Sequence, residues 1–155
     1  MLKQPYLLFL GDAPDALAAK VAQGIKDWRP DNAVGQFRMD GCKAAVGLGD
    51  MTLAESKSKG AKTLVWGVAN RCVYISDAWK AVLMDALNMG YDLASGLNNL
   101  LRDEEDLVAL AAEKGCELHD VRVPSVEYPI ATGVKRSGKR VLAVGTDCSV
   151  GKMYT

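Results

Sequence analysis

Several marks of large protein classes are missing from this sequence. Charge of one sign is the first: 19 Lys and Arg offset 19 Asp and Glu in 155 residues. Surfaces built for nucleic acid or anionic lipid carry a cationic excess, so neither partner is expected. Long apolar runs are missing too. The longest stretch without Asp, Glu, Lys or Arg is nine residues, Leu93 to Leu101, against the ~20 that a spanning helix needs. The apolar patch Tyr6–Leu10 runs straight into Gly11-Asp12 with no small-residue cleavage site, so it does not read as a signal peptide. The four cysteines, Cys42, Cys72, Cys116 and Cys148, are scattered, with no C-x-x-C and no Cys/His cluster. Neither a zinc site nor a disulfide framework follows from such spacing, no metal ligands are assigned, and a cytoplasmic protein is expected.

What is present suits an α/β domain. Hydrophobic residues are 49% and charged residues 25%, the balance of a chain able to bury a core. Short apolar runs alternate with amphipathic stretches. Strands are predicted at Tyr6–Leu10, Ala44–Leu48, Thr63–Trp66, Tyr91–Ala94, Cys116–Val123 and Arg140–Val144, with 72–75 a short strand or an extended loop. A helix is expected from Pro14, with Leu17, Val21, Ile25 and Trp28 on one face. Thr52-Leu-Ala-Glu55 is a capping box opening a helix that stops at Gly60. Ser76 or Asp77 caps the next, which presents Trp79, Val82, Leu83, Ala86 and Leu87 inward and ends at Gly90. The last starts at Asp103–Asp106, turns Leu107, Leu110 and Ala111 inward and closes at Gly115.

The expected architecture is a Rossmann-like parallel sheet with flanking helices over 1–123 and a linker over 124–139. Residues 140–155 then read as the first strand and P-loop of a second, truncated α/β domain.

Glycine is plentiful, 15 of 155, above the average of about 7%, and its placement matters most near the end. A predicted strand leads into Gly145-Thr146-Asp147-Cys148-Ser149-Val150-Gly151-Lys152. Glycines let successive backbone N–H groups turn towards phosphate oxygens, and the lysine adds a point charge. The usual spacing has four residues between the glycines and Ser or Thr after the lysine. Here there are five, and Met153 follows, so a magnesium-binding hydroxyl is missing or displaced to Thr155. A tight strand–helix turn that happens to hold Gly and Lys is the plainer reading. A P-loop needs the helix that follows it, yet only three residues follow Lys152. The chain therefore reads as the N-terminal part of a longer polypeptide, inactive by itself, with a tail from about Ser137 that is poorly ordered or docked in a non-native way.

These residues also carry a family resemblance. Val144-Gly-Thr-Asp-Cys-Ser-Val-Gly-Lys-Met153 resembles the signature of a bacterial and archaeal two-domain family, a Rossmann-like domain followed by a P-loop NTPase-like domain. Its five-residue spacing is also similar to that of dethiobiotin synthetases. Leu64–Ala69, Asp92–Leu97, Leu100–Asp103 and His119–Pro124 agree with the family as well. Tyr128–Ala131 and Gly133–Arg140 resemble its D-glutamate N-acetyltransferase branch. Departures are Cys72-Val73, where the family carries a glycine pair, and Asn98, where many members have His. The resemblance implies acetyl transfer from acetyl-CoA to a small acidic amino acid, D-glutamate. A homo-oligomer is the expected assembly. The second reading is a nucleotide-dependent binding or switch module that takes ATP or GTP with Mg²⁺ on the P-loop.

Individual residues keep two readings each. The loops Gly11-Asp12, Gly49-Asp50, Gly67–Arg71 and Ser95–Asn98 follow predicted strands and gather at the carboxyl edge, where α/β sheets bind ligands. No G-x-G-x-x-G follows the first strand, however, and each glycine is also just a turn residue. Arg71 suits a substrate carboxylate bidentately, or a surface ion pair. His119, the only histidine, is a candidate general base for an amine that must lose a proton, or a structural residue. Asp120 and Arg122 share one strand face and read as an ion pair that fixes the linker, or as part of a junction site. Cys148 is either a nucleophile at a helix N-terminus or a small residue that fits its loop. Lys135, Arg136, Lys139 and Arg140 form a basic run that is a solvated linker or an attraction for the CoA 3′-phosphate.

Overall fold

Five short strands, aligned in parallel, follow from the apolar runs. The computed structural model describes residues 2–69, 75–124, 126–127, 133–135 and 137–146. The chain divides into two units, Met1–Pro124 and Ser125–Thr155. In the first, the elements run β1 (Tyr6–Gly11), α1 (Lys20–Trp28), β2 (Ala33–Arg38), α2 (Leu53–Ser58), β3 (Thr63–Trp66), α3 (Asp77–Asn88), β4 (Asp92–Ser95), α4 (Glu105–Lys114) and β5 (Leu118–Asp120). The sheet order is β2-β1-β3-β4-β5, and every neighbouring pair is parallel. Both faces of such a sheet must be covered, which is why β1, β3 and β4 are buried at every position.

Register fixes the two faces. Phe9 stands beside Phe37 of β2 and Trp66 of β3, so all three project to one side, where Trp79 of α3 packs on Phe9 and Trp66. Gly67, one residue after Trp66, faces the other side and meets Ala22 of α1. The helix signals work as local chemistry requires. Thr52 Oγ1 accepts from Glu55 N–H at 3.1 Å and the Glu55 carboxylate accepts from Thr52 N–H at 2.7 Å, a complete capping box. Ser76 caps α3, and Gly115 ends α4 in the left-handed region. Tyr91, fully buried, donates its hydroxyl to Leu53 O at 2.7 Å and ties α2 to the start of β4.

Four expectations are corrected. The second strand is Ala33–Arg38, not Ala44–Leu48: Ala44 and Val46 are buried but lie in irregular backbone. Gln36 explains the choice. Its N–H donates to Gly49 O, its C=O accepts from Met51 N–H, and its side-chain oxygen accepts from Val46 N–H at 2.8 Å. The later segment is thus held against β2 without becoming a strand of its own over 44–48.

Helix α1 begins at Lys20 rather than near Pro14; of the expected face Ile25 packs, partly buried, against the core, while Leu17, Val21 and Trp28 are exposed and the fully buried residue is Ala22. Only a small side chain fits there, because a Cβ on Gly67 would stand 2.5 Å from the Ala22 Cβ. The strand expected over 116–123 shortens to β5. Residues 140–144 are not a strand, and Val141, Leu142 and Val144 are exposed. Among the described residues no neighbouring strand pairs with them, and an unpaired strand has neither ladder bonds nor a face to bury.

Candidate functional site

The order reverses at β1: the chain leaves it for β2 on one side and builds β3, β4 and β5 on the other. Ligands of open α/β sheets bind at such a switch point, outside the carboxyl ends of the strands. Here that crevice is filled by the protein. Gly11 ends β1 at φ +54, and a Cβ on it would lie 2.9 Å from the Trp79 indole. The same indole donates from Nε1 to Asp12 Oδ1 at 3.0 Å, so the Gly11-Asp12 loop is occupied in holding α3. On the α1 side, Ala22 N–H donates to Gly67 O at 3.0 Å, and Ala69 N–H donates to Ala18 O at 2.7 Å. A backbone N–H and the close space that a dinucleotide pyrophosphate uses are both engaged. The missing G-x-G-x-x-G thus has a physical counterpart.

An open cleft of about 410 Å³ lies instead at the carboxyl end of β2. Its polar lining comes from Arg38, Asp40, Cys42, Asp50, Thr52 and Glu55, with Phe37, Met39 and Met51 as the apolar part. Arg38 holds Asp50 through Nε and Nη2 of its guanidinium, with Nε 2.8 Å from Oδ1. Gln36 Nε2 donates to the same Oδ1 at 2.7 Å. The Arg38 and Gln36 hydrogen bonds keep the Asp50 carboxyl below its ordinary value of 3.8. Glu55 is lowered in the same way by the Thr52 backbone N–H and hydroxyl.

Arg38, Asp50 and Glu55 therefore already have partners. Three carboxylates face one guanidinium, so an anion would have to displace Asp50 from Arg38, while a cationic or neutral polar group meets no such barrier. Of this cleft the sequence showed only the capping box and the Gly49-Asp50 loop. Arg38 went unnoticed because it sits on β2, and its pairing with Asp50 needs the sheet to form.

His119 lies elsewhere. By register, Asp92 of β4 and Glu117 and His119 of the β5 segment share one face of the sheet. His119 Nε2 is 3.3 Å from Glu117 Oε2, and Lys3 Nζ is 2.9 Å from Asp92 Oδ2 and 3.2 Å from Glu117 Oε1. The two carboxylates and the imidazole converge within 4.8 Å, as metal ligands do, but the Lys3 ammonium already pairs with both carboxylates. The two carboxylates in turn raise the Lys3 pKa, chiefly through their hydrogen bonds.

Asp120 is buried and does not pair with Arg122, which is exposed in the turn after β5. Its carboxylate accepts from Leu101 N–H at 2.7 Å and from Arg102 Nε at 2.9 Å, tying the 101–103 turn to the sheet edge. This is the structural role, with a different arginine. Arg71, Arg136 and Asp147 to Lys152 lie outside the described residues, as do Cys72 and Cys148. Gly145, Thr146, Lys135, Lys139 and Arg140 are exposed, and Arg140 Nη2 donates to Ser137 O at 3.3 Å. No helix among the described residues is long and apolar enough to cross a membrane.

Comparison with known proteins places these features. Residues 37–124 match the family described as a domain of unknown function (DUF1611_N), Rossmann-like domain. Residues 129–155 match its companion, DUF1611_C, P-loop domain. A protein of Tritonibacter scottomollicae named D-glutamate N-acetyltransferase is 71% identical over 155 residues, which is 100% of this chain and 46% of that protein. One of the same name from a Pseudoalteromonas species is 43% identical over 154 residues, 99% of this chain and again 46% of the relative. The chain thus spans about half the length of the curated relatives it matches.

Among solved structures, a DUF1611 family protein from Anabaena variabilis superposes with a TM-score of 0.66 at 21% identity, covering 84% of this chain and 40% of that one. A homoserine dehydrogenase of Staphylococcus aureus gives a TM-score of 0.50 at 16% identity, over 77% of this chain and 32% of that one. Both likenesses concern the fold alone.

Proposed function

The chain belongs to the DUF1611 family, its Rossmann-like domain continuing into P-loop sequence, and from that premise we propose that it is the N-terminal part of a D-glutamate N-acetyltransferase. The observation that carries this reading is the 71% identity over the whole chain to a relative of that name. Identity at that level, spread over both the sheet and the glycine loop, supports a shared chemistry rather than a shared fold alone.

The reaction joins the D-glutamate amino nitrogen to the acetyl carbonyl carbon and breaks the thioester bond of acetyl-CoA, releasing the free thiol. The substrate ammonium loses a proton before it attacks, and negative charge develops on the carbonyl oxygen. Acetyl-CoA supplies the activated acyl group. Gly145 to Lys152 are the residues suited to its pyrophosphate, through backbone N–H groups and the Lys152 ammonium. The filled crevice between β1 and β3 supports the same division of labour, because it removes the Rossmann switch point as a phosphate site.

Arg71, which follows β3 in the sequence, is the proposed clamp for a substrate carboxylate. His119 remains the only imidazole in the chain, and in the structure it faces Glu117. A role as base therefore needs the substrate to reach the β5 face. The protein is proposed to act in the cytoplasm, on small molecules.

The test uses the full-length protein with acetyl-CoA and D-glutamate, reading release of free thiol. Thiol release that depends on D-glutamate, and falls a hundredfold or more in Lys152→Ala, is the expected result; a loss of this size is ordinary when a group holding the reacting molecule is removed. Absence of thiol release with every acidic amino acid, together with tight binding of ATP–Mg²⁺ in calorimetry, would favour the nucleotide-switch reading.

A further inference from the structure

Asp92 is a buried carboxylate on an otherwise apolar strand. It opens β4 beside the edge strand β5, and its side chain is 5% exposed. Burying an ionised carboxylate is costly unless its oxygens are well paired. Oδ1 accepts from the Glu117 N–H at 2.9 Å, which fixes the orientation of the group. Among the described residues the shielded Oδ2 faces only the ammonium of Lys3, whose side chain is half exposed in the segment before β1. His119 Nε2 is shielded as well. Although 3.3 Å from Glu117 Oε2, it has no hydrogen-bond partner among the described residues. Two shielded polar atoms thus lack full partners in one cluster, where a ligand atom from each of Asp92, Glu117 and His119 lies within 4.8 Å of the other two.

We propose that Asp92, Glu117 and His119 bind a divalent transition-metal ion, zinc by the choice of donors, and that the ion displaces the Lys3 ammonium. Two carboxylates and an imidazole suit zinc, with water in the fourth position, whereas magnesium and calcium favour oxygen donors alone. Ligand atoms about 2.0–2.1 Å from a tetrahedral ion stand about 3.3–3.4 Å apart. His119 Nε2 and Glu117 Oε2 already have that spacing. The Glu117 side chain is half exposed and can swing to complete the set. Charge agrees with this assignment: Lys3 offsets one of the two carboxylates, and a divalent ion offsets both. The ammonium therefore marks the place of the cation and competes for it. The proposal does not depend on the acetyl-transfer reading, but a bound ion takes the Nε2 lone pair and so removes His119 as a base for that reaction.

The test titrates zinc into the chain and follows the imidazole ring resonances. His119 is the only histidine, so these signals report this site, and zinc held by cysteines elsewhere leaves them in place. The expected result is a saturable shift with one zinc per chain at sub-millimolar concentration, and no shift with magnesium or calcium at the same concentration. Glu117→Gln should weaken binding tenfold or more, since loss of a group that merely orients a ligand already costs that much. Lys3→Met should tighten it about two- to fivefold, the worth of an exposed ion pair. Both side chains are half exposed, so both variants should keep the parent's circular dichroism spectrum. Four outcomes overturn the proposal: ring signals that zinc leaves unmoved, an equal shift with magnesium or calcium, unchanged zinc affinity in Glu117→Gln, which marks an adventitious imidazole contact, or binding that Lys3→Met does not tighten.

Discussion

Gly67 shows how one residue decides between packing and binding. From its position after a strand it suited a ligand-approaching loop as well as a simple turn. Its neighbours resolve this: Ala22 Cβ is 2.5 Å and Phe9 O 3.2 Å from the place a Cβ would take. Gly67→Ala is therefore expected to destabilise the domain by about 1–3 kcal/mol, the usual cost of overpacking a close contact. Urea unfolding measures this, and a midpoint equal to the parent's would mean that α1 moves away freely. Asp120 gives the complementary lesson. The sequence offered it a structural ion pair or a place in a junction site; the structure gives the first, with a partner the sequence did not name. Arg122 alternates with it in sequence, whereas Arg102 reaches it through the fold. Partners distant along the chain are set by topology, which local spacing does not encode.

Elements differ in how locally they are specified. The Thr52–Glu55 box needs only four residues, and it appears where the sequence placed it. Strand β2 needs its neighbours. Ala33–Arg38 has little apolar density and was not expected as a strand, whereas Ala44–Leu48 was; the Gln36 hydrogen bonds make the first a strand and the second its cover. The same elements predict acid sensitivity. Asp50 and Glu55 are both held below their ordinary carboxylate values, by Arg38 with Gln36 and by Thr52 respectively. Carboxyls lowered in the folded state stabilise it above their unfolded values, and that contribution is lost as pH falls through the folded ones. Thermal melting should be level from neutrality to about pH 5 and decline below about pH 4, where carboxylates begin to protonate. Asp50→Asn should lower the neutral melting temperature and flatten the decline; an identical pH profile would remove the β2 ion pair from the account.

For the whole molecule, the division at Pro124 and Ser125 agrees with a shift in composition from periodic elements to a basic, glycine-containing stretch. Lys135 and Lys139 are exposed there. Limited trypsin digestion is expected to cut first after Lys135, Lys139 or Arg140 and to leave a resistant product close to Met1–Pro124, which mass spectrometry identifies. Early cleavage inside α3 or α4 would contradict the division.

By itself the sequence determined the parallel α/β class, the capped ends of α2, α3 and α4, and the glycine loop, because each rests on periodicity or on contacts within a few residues. Only the tertiary structure decided which face of α1 is buried, which segment becomes β2, which arginine serves Asp120, and that Trp79, Asp12 and Ala22 fill the switch point. Each of these depends on residues brought together by the order β2-β1-β3-β4-β5. That order is fixed by cooperative burial across the whole sheet and not by any single stretch of chain.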